Sequence, residues 1–279
     1  MSSRLALRAG LISLLLFLLF IGTWSVATRP VEATDHGADA EYAALMGKGV
    51  DKASGFPPPA KVGEAFVTYL SDPFYDNGPN DKGIGIQLGH SLIRVGIGFL
   101  LAVAVALPLG FAIGMSPLLF QAFNPFIQIL KPISPLAWMP LALYSLKDSD
   151  ISGIFVIFIC SLWPMLINTA FGVASVRKDW INVARTLEVG PLRKAFQVIL
   201  PAAAPTILTG MRISMGIAWL VIVAAEMLVG GTGIGYFVWN EWNNLALPNV
   251  IFAVAMIGLV GMILDQCFGV LQKLVTYRE

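Results

Sequence analysis

Four charged residues, Arg94, Lys131, Glu226 and Asp265, sit inside long apolar runs of this sequence. A charge inside a membrane span is costly unless paired or used, so each is a functional candidate. Arg94 lies about eight residues into one run from its outer end, and Glu226 about four residues from the outer end of another. At about 1.5 Å per residue their depths differ by only about 6 Å. A salt bridge between them, structural or gate-like, is one reading; a direct role for Arg94 in anion passage is the other. Lys131 lies in a run broken by prolines, and a broken helix exposes N–H groups that favour anions. Lys131 and the break around Pro132–Pro140, Pro135 included, are therefore candidates for part of an anion path. The competing reading is a packing kink with a lysine that reaches water. Asp265, near the end of its run, can reach water in the same way.

Other chemistries find no support. His36 and His90 are far apart, and no metal-ligand spacing occurs. Cys160 and Cys267 stand alone in apolar runs and read as small buried hydrophobes. The Gly-rich stretch "GGTGIG" at 230–235 lacks the lysine and Ser/Thr of a phosphate loop, so it reads as a turn or flexible joint. No catalytic residue, metal or cofactor is expected in this chain, and no nucleic-acid partner.

The elements that must position these charges are membrane helices. Of 279 residues, 57% are hydrophobic and 13% charged, with a mean hydropathy of +0.76. Soluble domains are nearer to about 45–50% apolar and about 25% charged. A span needs about 20 apolar residues, and six candidates occur, near 9–27, 86–114, 118–146, 151–173, 206–229 and 249–271. The third contains Pro125, Pro132, Pro135 and Pro140 and cannot be one regular helix. The first follows Arg4 and Arg8 and ends "SVAT", so residues 1–28 read as a retained transmembrane helix or a signal segment cleaved after Ala27. Lys and Arg concentrate at the N-terminus, at 174–205 and at the C-terminus (Lys273, Arg278), which puts these on the cytoplasmic side. The opposite side receives 29–85. There Val62, Phe66, Val67 and Leu70 recur at helical spacing and suggest a short surface helix, with an ordinary loop as the alternative. Trp24, Trp239 and Trp242 suit the outer boundary. No internal repeat is evident.

One charged stretch interrupts the apolar chain, "ARTLEVGPLRKAFQVILP" at 184–201. Asp179 reads as an N-cap, and Ile181, Ala184 and Leu187 form a narrow apolar stripe. Gly190 suits a left-handed helix end and Pro191 the first turn of a second helix. Leu192, Ala195, Phe196, Ile199 and Leu200 make another stripe, which Pro201 and Pro205 should terminate. Such short helices are marginal alone in water. Their stripes pack either on their own bundle or in the groove of a cytosolic partner.

The segment resembles the coupling loop of ABC importer permeases, through Asn182, Val183 and Ala184, then Glu188, then Val198, Ile199, Leu200 and Pro201. Asn182, Val183 and Glu188 depart from that pattern, Glu188 standing where the family has Gly. The flanks "KPISPLAWMPLAL", "WPMLINTAFGV", "LPAAAPTILTGMRISMGIAWLVIVAAEML" and "GIGYFVW" resemble the nitrate, bicarbonate and sulfonate branch, with "VAAEML" and "SDPFYDNG" most like the nitrate-type permeases. The resemblance implies an all-α integral membrane fold, a type I core of five helices at 86–271 plus the N-terminal helix. It implies a coupling loop at 177–205 that meets the ATPase through Asn182, Val183, Ala184, Leu187, Glu188, Gly190, Pro191, Leu200 and Pro201. It further implies a permease homodimer in a bacterial inner membrane, cytosolic ABC ATPase subunits that use ATP and Mg, and a periplasmic or surface anion-binding protein. Import of bicarbonate or a sulfonate, and a stand-alone secondary anion transporter, remain as alternatives.

Overall fold

Proline punctuates this chain in two ways. In the computed structural model, which describes residues 3–29, 56–78 and 80–275, Pro59, Pro117, Pro135 and Pro191 each open a helix. There the missing N–H costs nothing. Pro108, Pro125, Pro140, Pro164 and Pro205 lie inside helices. The readings of His36, of the outer segment at 30–55 and of Arg278 fall outside the described residues.

The described residues are helical apart from turns and one isolated bridge between Asp76 and Lys82. They divide into two units. The first comprises Met1–Asp72 and Glu241–Phe252. Its α1, Ser3–Ala27, exposes its apolar side chains along its length, as a lipid-facing span does. At its end Trp24 Nε1 donates to the Pro57 carbonyl at 3.0 Å. α2, Pro59–Ser71, is the short helix anticipated in the outer segment, but its buried stripe differs. Val67 and Leu70 are exposed. Val62 and Ala65 are buried, while Phe66 and Tyr69 pack on Phe252 with ring centroids 4.8 and 5.2 Å away. The inward positions follow i, i+3, i+4, i+7, which is one face of a helix with 3.6 residues per turn.

The second unit comprises Pro73–Asn240 and Ala253–Glu279. It contains α3 (Ile84–Met115), α4 (Pro117–Leu130), α5 (Pro135–Leu146), α6 (Ser149–Ala174), α7 (Lys178–Thr186), α8 (Pro191–Lys194) and α9 (Leu200–Val229). α10 (Ile234–Asn243) and α11 (Leu247–Val275) run through both units. Among the described residues five helical stretches are long and apolar enough to cross a membrane, and α4 with α5, bent by 91°, makes a sixth span when counted as one. The bend lies at residues 131–134 alone. Pro125 and Pro140 stay within their helices, whereas Pro135 forces Ser134 into an extended conformation (ψ 132°).

α6 is the axis of this unit, with α3 and α9 packed along it. The α3 face carries Gly98, Ala102, Ala106, Gly110 and Gly114, one small residue every four. Ala102 and Ala106 are wholly buried, and a Cβ added at Gly110 would lie 2.9 Å from the Leu166 carbonyl oxygen. Small residues let the backbones approach, the usual means of packing helices in lipid. Two apolar cores flank α6. Met139, Ala142, Val156, Val221 and Ala225 form one, with Cys160 against it, and Val173, Val176, Ile199, Ala203 and Ile207 form the other. Cys267, in contrast to Cys160, is exposed.

Pro201 and Pro205 do not terminate the second charged helix. Pro191–Val229 is one continuous stretch of 39 residues. Residues Ala195–Ile199 are wound as a π-helix, and Leu200 N–H reaches back to the Ala195 carbonyl. A π turn spaces donor and acceptor one residue further apart and so makes room for the Pro201 ring.

Candidate functional site

α3 carries Gln87, Ser91 and Arg94 on one face. α9 carries Glu226 near its end, and the Gly-rich turn follows directly. The Glu226 carboxylate is buried, 4% exposed. It accepts from Arg94 Nη1 at 2.7 Å, from Ser91 Oγ at 2.8 and 2.9 Å, and from the Gly235 N–H at 3.0 Å. Arg94 also donates to the Thr232 carbonyl at 2.6 Å and, through Nε and Nη2, to Asp150 Oδ1 at 3.0 and 2.5 Å. Gln87 Oε1 accepts from the Gly233 N–H at 2.6 Å, and Ser91 Oγ from the Ile234 N–H at 3.0 Å.

This cluster ties the first turns of α3 and α6 and the end of α9 to the 230–235 turn. Glycine is required there because Glu226 itself occupies the space a side chain on Gly233 would need. Arg94 and Glu226 do meet, and the guanidinium is committed to two carboxylates and a carbonyl. It is not free to take up an anion in this conformation. The arrangement is a lock, with "GGTGIG" held in it as a fixed turn. Sequence reasoning missed Asp150, Ser91 and Gln87. Ser91 and Gln87 do lie one and two turns before Arg94 on α3, a spacing that was there to be read.

The second place of interest is 178–200. α7 begins after Arg177, and Asp179, expected as the N-cap, lies inside the first turn with its carboxylate 3.5 Å from Arg177. A first-turn acid still favours the positive end of the helix dipole. The left-handed residue at the helix end is Glu188 (φ 52°), whereas Gly190 is extended (φ −57°, ψ 154°). Val189 N–H bonds to the Ala184 carbonyl at 3.0 Å and Glu188 N–H to that of Arg185 at 2.9 Å. These two bonds make a Schellman end, so its left-handed position falls three residues after Arg185. Gly190 instead caps α8, accepting from Lys194 N–H at 2.9 Å. Pro191 opens α8 as expected.

The apolar residues of this element fall on two sides. Ile181 packs on the Val173–Ile207 core, and Ala184 is buried at 4% exposure. Ala184 therefore faces its own chain. Trp180, Val183 and Leu187, at i, i+3 and i+7, are exposed, as are Leu192 and Phe196 beyond the turn. Asn182 is exposed as well. Leu200 packs on the inner core, and Pro201 sits in the first turn of α9.

The sequence profile described as "Binding-protein-dependent transport system inner membrane component" matches residues 98–278. The chain belongs to this family. As a permease component it does no chemistry of its own. It is 44% identical over 226 residues to the nitrate import permease protein NrtB of a Synechocystis species, a match covering 81% of this chain and 82% of that protein. It is 43% identical over 223 residues to the bicarbonate transport system permease protein CmpB of the same organism, covering 79% and 80%. Among solved structures, an inward-facing conformation of the MetNI methionine ABC transporter matches with a TM-score of 0.60 and 13% identity. That match covers 68% of this chain and 94% of that one, and it shows the fold.

In this permease the remaining candidates fall in two places. Asp265 does not reach out alone, because Arg212 of α9 pairs with it through both carboxylate oxygens at 2.5 Å. A two-pronged pair neutralises both charges, although both side chains stay partly exposed. Lys131 closes α4 and borders a cavity of about 580 Å³ between α4 and α6. Pro135 opens α5 beyond the bend.

Glu188 offers a direct test of the local reading. A residue with a side chain pays about 1 kcal/mol or more to sit in the left-handed region, and glycine does not. Glu188→Gly should therefore raise the thermal midpoint of the detergent-solubilised permease by about 2–4 °C. An unchanged or lower midpoint would show that Glu188 is held there by something other than the helix end.

Proposed function

We propose that the chain is the membrane-spanning subunit of an ATP-driven importer of a small inorganic anion, nitrate first, and that residues 178–200 couple it to a cytosolic ATPase. The observation that carries this reading is the unbroken stretch Pro191–Val229. One end of it belongs to an element that leaves Trp180, Val183, Leu187, Leu192 and Phe196 uncovered. The other end holds Glu226 in the buried lock. Leu192 and Glu226 are about 50 Å apart along this rod at about 1.5 Å per residue. A partner that grips the exposed stripe and moves on ATP binding pulls directly on the lock. The element and the lock then bias one two-state equilibrium, which is what alternating access requires.

In this reading the N- and C-termini and the 174–205 loop face the cytoplasm, in keeping with the Lys/Arg bias. Two permease chains form the pathway, two ATPase subunits use ATP and Mg, and a periplasmic binding protein delivers the anion. The permease itself holds no cofactor. Nitrate is supported by the resemblance to NrtB, and bicarbonate follows because CmpB is nearly as similar. Reconstitution of the permease with its ATPase and binding protein in proteoliposomes tests both. ATP-dependent nitrate uptake that excess bicarbonate does not suppress is the expected result. Uptake of bicarbonate alone would reassign the substrate, and uptake without an ATPase would overturn the importer reading.

A further inference from the structure

α4 is apolar except along one line. Gln121, Asn124, Gln128 and Lys131 follow at spacings of three, four and three, which places them on one face. That face forms one wall of the cavity of about 580 Å³, and apolar residues of α3 and α6, among them Leu166 and Phe171, form the other. Among the described residues none of these four side chains has a hydrogen-bond or ionic partner. Deeper in the spans, Arg94 is committed to Glu226 and Asp150, and Arg212 to Asp265. Three amides and an ammonium without partners, on a helix with no buried residue of its own, border open space in the bundle and not a packed core.

We propose that this face of α4 is the wall along which the transported oxyanion moves, passed between amide N–H groups and drawn by Lys131. This rests on the reading of the chain as an anion permease. Each amide offers two N–H donors and the ammonium three, which suits the acceptor-only oxygens of a small planar anion. From Gln121 to Lys131 the ladder rises about 15 Å, half of an apolar core about 30 Å thick. Neutral donors in series with one cation attract the anion without trapping it, because conduction needs several weak sites. Pairing a guanidinium cluster with carboxylates, as at Arg94, does the reverse and holds.

The test uses the full permease with its ATPase in proteoliposomes, in a Cys160→Ala/Cys267→Ala background that retains uptake. Cysteines at Gln121, Asn124 and Gln128 are compared with cysteines at the apolar positions Phe126 and Ile129, using a negatively charged methanethiosulfonate reagent. The stripe positions should react at least about tenfold faster than Phe126→Cys and Ile129→Cys, and nitrate should slow them. Lys131→Met should lower uptake about tenfold, the scale of one lost charge-assisted contact, and Lys131→Arg should keep most of it. Equal labelling on both faces, labelling that the anion does not slow, or full uptake by Lys131→Met would each overturn the proposal. Wild-type uptake is the separate control. If the wild-type assembly takes up no anion, the anion-importer reading fails, while the labelling pattern still decides whether this face lines a water-filled path.

Discussion

Arg94→Gln will leave the permease with a carboxylate buried at 4% exposure and no cation beside it. Glu226 would keep only Ser91 Oγ and the Gly235 N–H as donors. Removing one partner of a buried pair costs about 3–5 kcal/mol, enough to exhaust much of the stability of a typical domain. Most of the chain should then fail to accumulate as a folded membrane protein. Glu226→Gln should be milder. There Arg94 keeps Asp150 and the Thr232 carbonyl, and Asp150 is largely open to water. The double variant removes both charges and should recover part of the loss from Arg94→Gln. Permease level, thermal midpoint and uptake per folded molecule, measured on all four proteins, close the cycle. Strictly additive losses would mean that the pair is not energetically coupled, and the lock would have to be sought elsewhere.

Such a lock was half legible in the sequence. A charge in an apolar run announces itself, so Arg94 and Glu226 could be matched by depth alone. Asp150 could not, because it sits at a helix start where acids are ordinary, and only the packing of α6 on α3 brings it to Arg94. The spans were legible for the same reason: 20 apolar residues have few other uses. The corrections share another cause, which is that proline and glycine were read as fixed signs. Pro201 ends a helix in isolation, but a π turn absorbs it. Gly190 suits a left-handed end, but the end is counted from where α7 stops, and that position belongs to Glu188. The two-sidedness of α7 was hidden because Ala184 and Val183 are neighbours of similar polarity. Only the α9 core decides which of them turns inward. The amides of α4 carry no signal of their own in the sequence, since their common face matters only beside a cavity.

Leu187→Asp separates coupling from folding, and Ala184→Asp does not. Ala184 is buried within the chain, so a carboxylate there is a folding defect and should lower the amount of permease itself. Leu187 is 70% exposed and Phe196 66%. A charge at either costs the free permease little. Against a partner groove the same charge must be desolvated unpaired, a penalty that can exceed the tenfold step of about 1.4 kcal/mol several times over. Leu187→Asp and Phe196→Asp should therefore leave expression and thermal midpoint near wild type, while ATPase retained on purification falls at least about tenfold. Uptake should fall with it, because the exposed stripe is joined to the Glu226 lock by the continuous Pro191–Val229 stretch. Trp180→Ala should weaken ATPase retention without adding charge, since buried aromatics carry much of an interface. Wild-type ATPase retention and uptake in both Leu187→Asp and Phe196→Asp, at wild-type protein levels, would show that the exposed side of 178–200 meets no ATPase. The rod from Pro191 to Val229 would then have nothing at its near end to move it.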